Sequence, residues 1–167
     1  MAAPGTFVAN FTHGQIIISD GTGTPLTVTL TLDQGDFSIS GLSDRLREVA
    51  AYETRGTLRG VALTNRSYPT LSFSSLISEW SDGAAGTVLD MITGSGEFAA
   101  RIGTLGADHP VVCLDCKFEF VDYQGNGQDL TLHDCNFQFD FSEGDPDTLN
   151  LSATLYGEID GDLAIDG

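Results

Sequence analysis

Positive charge is what this chain most lacks: 7 of its 167 residues are Lys or Arg against 24 Asp or Glu, a formal net charge of −17. So acidic a surface repels phosphate backbones at ordinary ionic strength, which excludes a protein that grips nucleic acid. It does not exclude one that sits beside DNA and must not adhere to it. No apolar run approaches the roughly 20 residues that a membrane-spanning helix needs. The Met-Ala-Ala-Pro-Gly start has neither a basic n-region nor an apolar h-region, so no secretory signal is expected and cytoplasmic assembly is the default. Aromatic platforms are scarce as well. Trp80 is the single tryptophan and fits a packing anchor, while Tyr52, Tyr68, Tyr123 and Tyr156 are dispersed along the chain, which argues against a sugar binder.

Catalytic and cofactor signatures are missing too. His13, His109 and His133 are scattered, no Ser or Cys arrangement marks a nucleophile, and the glycines form no phosphate loop, so no enzyme activity and no cofactor are expected. Cys113-Leu-Asp-Cys116 with His133 and Cys135 has the residue types of a zinc site. Positions three apart on a strand point to opposite faces, however, and no glycine knuckle brings the two sulfurs together, so buried free thiols are expected. Asp145-Pro-Asp147 and Asp160-Gly-Asp162 with Asp166 resemble fragments of calcium loops but complete no EF-hand, and turns account for them more simply.

What is present reads as strands. Hydrophobic residues make up 41% of the chain, enough for a packed core, and the Gly, Thr and β-branched content points to an all-β sandwich forming a single domain over 1–167. Strands are expected at 6–11, 15–19, 26–32, 37–40, 57–63, 70–77, 97–102 and 149–156; Leu26, Val28, Leu30 and Leu32 face inward. One helix is expected through Ala84, Ala85, Val88, Leu89 and Ile92, capped by Ser81 or Asp82 and ended by Gly94. Residues 43–59 read as an extended loop, and the acidic tail after Glu158 as flexible.

The long stretch 112–140 reads as one hairpin turning at Gly125-Asn126. Leu114 is then opposite Phe137, Cys116 opposite Cys135, Phe118 opposite His133 and Phe120 opposite Thr131, making an apolar face. In this register Asp115, Lys117 and Glu119 face Leu132, Asp134, Asn136 and Gln138, with Lys117 paired to Asp134; the facing Cys116 and Cys135 allow a disulfide only under oxidising conditions.

The scarce cations are concentrated. Arg45, Arg47, Arg55, Arg59 and Arg66 are five of the seven, and arginine pairs bidentately with carboxylates, so on an acidic molecule this cluster, with Glu48 inside it, favours self-association.

The order of strands, loop, strands, helix, hairpin and final strand, with Thr57-Leu-Arg-Gly-Val-Ala-Leu63 and Ser67-Tyr-Pro-Thr-Leu-Ser-Phe-Ser74, resembles the major tail tube proteins of long-tailed, non-contractile (siphovirus-type) bacteriophages. The resemblance spans most of the chain and is one of architecture. It implies a tail-tube-like β-sandwich or open barrel with one flanking α-helix and a long inter-strand loop. It implies a structural virion protein, assembled in the host cytoplasm as stacked, hexameric rings of the virion tail. Arg45, Arg47, Glu48, Arg55, Arg59 and Arg66 would then lie between subunits or rings. Asp115, Glu119, Asp134 and Asp140 would face a lumen through which DNA passes without specific binding. Partners would be other copies and the terminator, tape measure and distal tail proteins. The alternative is a monomeric β-sandwich binding module, for carbohydrate or capsid decoration; a third, an inner-tube protein of a contractile device with a sheath partner.

Overall fold

A computed structural model of the chain describes residues 13–31, 37–41, 49–63, 68–76, 87–121, 127–143 and 148–161. In chain order these form β1 (His13–Ser19), β2 (Thr27–Thr31), β3 (Ser38–Ser40), β4 (Val49–Thr54), β5 (Thr57–Leu63), β6 (Thr70–Leu76), α1 (Val88–Thr93), a 3₁₀ helix (Gly96–Ala100), β7 (Leu114–Val121), β8 (Gly127–Ser142), β9 (Thr148–Leu155) and β10 (Ile159–Gly161). The fold is all-β and antiparallel with one short α-helix. The strand expected at 6–11 and the residues Trp80 and Tyr123 lie outside the described residues.

The main sheet runs β2-β1-β7-β8-β9-β6-β3, with β10 added beside β8. Side chains alternate across each strand, so Ile16, Ile18, Leu71, Phe73, Cys116, Phe118, Leu132, Leu151 and Leu155 converge on one face and form a single buried cluster. That face folds over on itself. Phe37, at the start of β3, stacks on Phe118 of β7 with ring centroids 4.4 Å apart. Strands β3 and β7 are four places apart in the sheet order, about 19 Å on a flat sheet at about 4.8 Å per strand. Curling of the sheet closes that gap and makes the core.

Helix α1 starts later than the alternation of apolar residues suggests. Thr87 is its cap: the Asp90 amide donates to Thr87 Oγ1 at 3.2 Å and the Thr87 amide donates to Asp90 Oδ2 at 3.2 Å, a reciprocal box. Ser81, Asp82, Ala84 and Ala85 are outside the described residues. Gly94 ends the helix in the left-handed region (φ 70°), as expected, and Val88 and Met91 enter the core. The stretch expected as a strand at 97–102 is instead the 3₁₀ helix, anchored by buried Phe98.

The long hairpin forms with a register three residues away from the expected one. Phe120 pairs with Gln128, Phe118 with Leu130 and Cys116 with Leu132. A shift of three would put the wrong residues of β8 inward along its whole length. It does not, because the ladder slips between Leu114 and Cys116: Cys116 pairs with Leu132, but Leu114 pairs with Cys135. His133 and Asp134 thus oppose Asp115 alone, with Asp134 in the left-handed region at φ 56°. This bulge switches parity, so Leu130 and Leu132 face the core before it and Cys135 and Phe137 after it. Lys117 consequently pairs with Asp129 (2.9 Å) and Glu119 (2.8 Å), not with Asp134. Residues 159–161 are not a loose tail: β10 pairs with β8 through Ile159↔Leu132 and Gly161↔Leu130.

Candidate functional site

Part of the expected loop at 43–59 is a two-stranded arm. β4 and β5 pair with each other in their own sheet and with no other strand among the described residues. Thr54 pairs with Thr57, so Arg55 (φ 53°) and Gly56 (φ 75°) are the two central residues of a tight turn that needs positive φ at both. Asn-Gly or Asp-Gly is the usual solution. Arginine there carries a backbone cost, so its presence at the tip favours a role for the charge. Tyr52 and Leu58 are each 57% exposed beside exposed Arg55 and Arg59. The arm thus combines apolar rings and chains with cations on an otherwise acidic molecule. Arg45, Arg47, Glu48 and Arg66 lie outside the described residues.

The four acidic candidates separate into two environments. Asp115, Glu119 and Asp134 belong to the β7–β8 region and are occupied locally. Asp115 accepts from the Asp134 amide at 3.1 Å and lies 3.1 Å from His133 Nδ1. Glu119 accepts from Gln15 Nε2 at 2.6 Å and pairs with Lys117, whose hydrogen bond holds the Glu119 carboxyl below its ordinary value. Asp134 accepts from Thr104 Oγ1 at 2.6 Å. This strip is stitched together by Lys117 and His133 and is not a bare acidic wall.

His133 clasps two strands at the bulge, with Nε2 3.2 Å from Asp160 Oδ2 on β10. Burial alone would push its pKa down. The hydrogen bonds and charges of Asp115 and Asp160 outweigh that and hold it above the ordinary value. The clasp is therefore fully formed below about pH 6.5 and is lost as pH rises through the raised folded-state pKa. Normalised hydrogen-exchange protection of the β10 amides is expected to be full below about pH 6.5 and to fall as pH rises through the raised folded-state value, and to lose that dependence in His133→Gln. Unchanged protection in the wild type across that rise would show that the clasp contributes nothing.

The three cysteines are free and buried. In the observed register Cys116 pairs with Leu132 and Cys135 with Leu114, so the expected Cys116–Cys135 apposition does not form. Burial, then the Asp115 charge, pushes the Cys116 thiol up to about 12, which makes it a poor nucleophile.

Asp140 sits elsewhere, on the outward face of β3, β6, β9 and the second half of β8. The registers align that face in rows. Asn136, Thr154, Thr70 and Ser40 form one, Gln138, Ser152, Ser72 and Ser38 the next, and Asp140, Asn150 and Ser74 a third. Hydroxyls are tied across strands, Ser38 Oγ to Ser72 Oγ and Ser40 Oγ to Thr70 Oγ1, each at 2.8 Å. Asp140 is the sole charge among these residues, and a shallow depression of about 230 Å³ lies over Ser72, Ser74, Asp140, Asn150 and Ser152. One step beyond the Thr70↔Thr154 pair, Tyr68 and Tyr156 meet with ring centroids 4.9 Å apart and planes at 66°. The tyrosines dispersed in sequence are thus partly brought together. The signal for this face was in the sequence, as the polar half of four alternating runs that is almost wholly Ser, Thr, Asn and Gln.

A second cleft, about 400 Å³, is lined by Ile92, Arg101, Val111, Val112 and Phe137 among others. Its one cation, Arg101, is engaged at the end of α1, donating from a guanidinium nitrogen to the Ile92 carbonyl at 2.9 Å. No helix among the described residues is long and apolar enough to cross a membrane. Comparison with protein-family models and with curated proteins found no match to this sequence.

Proposed function

We propose that this chain is the subunit of a self-assembling tube of the kind built by siphovirus-type tail tube proteins, a structural element of a virion tail that conducts DNA and has no catalytic role. The observation that carries this reading is the β4–β5 arm. A two-stranded ribbon is marginal in water without something to pack against. Here the ribbon exposes Tyr52 and Leu58 and places Arg55 and Arg59 beside them. A second copy of the chain is the partner of matching chemistry, since it offers abundant carboxylates and few competing cations. The terminator, tape measure and distal tail proteins remain the further partners that the resemblance implies.

The purified protein is expected to form rings or hollow tubes by negative-stain electron microscopy, with light scattering that decreases as salt screens the arm's charge pairs. A monodisperse monomer across protein concentration and salt would overturn the self-assembly reading. The competing carbohydrate-binding module gains the Tyr68–Tyr156 pair. The near edge-to-face arrangement of those rings uses part of the flat surface on which a sugar would stack. The capsid-decorating module gains no specific observation.

A further inference from the structure

We infer that the cleft between the end of α1 and residues 110–112 is a binding site for a small organic carboxylate with an apolar tail, and that the Arg101 guanidinium holds the carboxylate. The site is independent of the tube reading and would serve a lone subunit equally well.

The cleft forms where β7 leaves the sheet. β7 ends at Leu114 opposite Cys135, while β8 runs on to Ser142, so Phe137 has β9 on one flank and no strand on the other among the described residues. The chain leading into β7 passes beside that gap, tied there by Asn136 Nδ2, which donates to the Val112 carbonyl at 3.2 Å. Val111, Val112, Phe137 and Ile92 supply the apolar walls of about 400 Å³, a volume within the range of small-ligand sites. Val111 and Val112 are 41% and 39% exposed, so a tail lying against them removes apolar surface from water.

Arg101 supplies the charge, and little of its bonding capacity is used. A guanidinium has five N–H donors. One on Nη2 goes to the Ile92 carbonyl at 2.9 Å, and Nε is buried with no acceptor, pressed so close to Gly94 that a Cβ on that residue would lie 2.8 Å away. Lys117 is paired with two carboxylates, but Arg101 makes no ion pair among the described residues. Burial pushes its pKa down, and the charge of Asp20 only partly offsets that, since the Asp20 oxygens are committed to Thr22, Leu26 and Ile102. A cation partly stripped of water and without a contacting counter-ion gains more from a carboxylate than a solvated one does. Packing on Gly94 also fixes the guanidinium beforehand, so little side-chain freedom is lost on binding.

The surroundings narrow the ligand. With one cation in an apolar cleft on a chain of net charge −17, a monoanion fits and the second charge of a phosphate would go unpaired. The rim also suits a small molecule better than an added peptide strand. Pro110 has no N–H, the Val111 N–H is donated to His109 Nδ1 at 3.3 Å, and the Val112 carbonyl is taken by Asn136, so an incoming strand would find little backbone to pair with there.

The test is equilibrium dialysis of the full chain against octanoate, with octan-1-ol as the same tail without the charge. The wild type is expected to take up octanoate saturably, one per chain, and to bind octan-1-ol at least about tenfold more weakly for want of the charge-assisted pair. Each methylene removed between octanoate and butanoate is expected to weaken binding about fourfold as the tail withdraws from the walls. Arg101→Gln is expected to weaken octanoate binding by at least about tenfold. Val112→Asp, which sets a like charge on an exposed wall residue, is expected to do the same and serves where Arg101→Gln fails to fold. Absence of saturable uptake at about 10 mM octanoate, or equal uptake by wild type and either folded variant, would overturn the site. Equal binding of octan-1-ol and octanoate would overturn the role of Arg101. Displacement of octanoate by the peptide acetyl-Val-Asp-Val-amide at concentrations below those at which octanoate itself binds would make the occupant a polypeptide side chain and overturn the small-molecule assignment.

Discussion

Charge reversal of the arm, Arg55→Glu with Arg59→Glu, is expected to abolish assembly while leaving the subunit folded. Both side chains are exposed on a ribbon that adds no strand to the main sheet among the described residues, so the core does not depend on them. Each reversal removes one favourable pair and creates one repulsive pair, roughly 2 kcal/mol per residue and about 4 kcal/mol per contact. That corresponds to a rise of about a thousandfold in the concentration needed to assemble. Sedimentation of wild type and variant over a concentration series measures it, with circular dichroism confirming the fold.

Arg55→Asn separates charge from backbone. Asparagine tolerates the positive φ of residue 55 better than arginine does. The variant is expected to have a firmer turn and yet to assemble less well, by about fivefold in concentration for the loss of a single pair of about 1 kcal/mol. Assembly of Arg55→Asn at or below the wild-type concentration would show that the arginine is not used for its charge.

Asp20→Ala is expected to produce a large loss of stability from a site that looks like an ordinary turn. Asp20 is 3% exposed, and its two carboxylate oxygens hold two separate segments together. Oδ1 accepts from the Leu26 amide at 2.8 Å and from Thr22 Oγ1 at 2.8 Å, and Oδ2 accepts from the Ile102 amide at 3.1 Å. The β1–β2 connection is thereby pinned to the chain that leads into β7. Truncation leaves buried donors without partners, at a cost of about 3 kcal/mol, or roughly 6–12 °C in Tm for a chain of this size. Asp20→Asn, which keeps an acceptor oxygen but turns an NH₂ group on one of the other donors, should lose about half as much.

The same site predicts an acid limb. Burial pushes the Asp20 carboxyl up, but the hydrogen bonds from Thr22, Leu26 and Ile102 outweigh it and leave the pKa below the ordinary value. Its contribution is therefore complete above about pH 4 and is lost as pH falls through the depressed folded-state value. Denaturant midpoints measured for wild type and Asp20→Ala are expected to converge in acid. A constant gap at all pH values would show that the carboxylate charge is not what stabilises the site.

The sequence by itself determined the elements whose signal is local. Leu26, Val28 and Leu30 alternate with threonines because one face of β2 meets the core, and Val28 is buried as expected. β6 and β9 appear within a residue or so of where their alternation places them, and Gly94 ends α1 because glycine adopts positive φ without a clash. The all-β class and the burial of the three cysteines follow in the same way from composition.

What the tertiary structure decided was pairing, because pairing is a relation between distant residues. Alternation on β8 changes parity at His133-Asp134, and a sequence reader who assumes one unbroken ladder must choose a register that suits one half. The bulge satisfies both halves, since its displaced backbone amide and imidazole find Asp115 across the strands. The Arg55-Gly56 turn was missed for a related reason: arginine is a poor residue for positive φ, so the local preference argued against the hairpin that cross-strand pairing imposes. Tyr68 and Tyr156, and the rows of hydroxyls that lead to them, become neighbours only when β6 and β9 align. Each strand alone specifies which side chains point outward, but only the order of strands in the sheet decides which outward side chains form one surface.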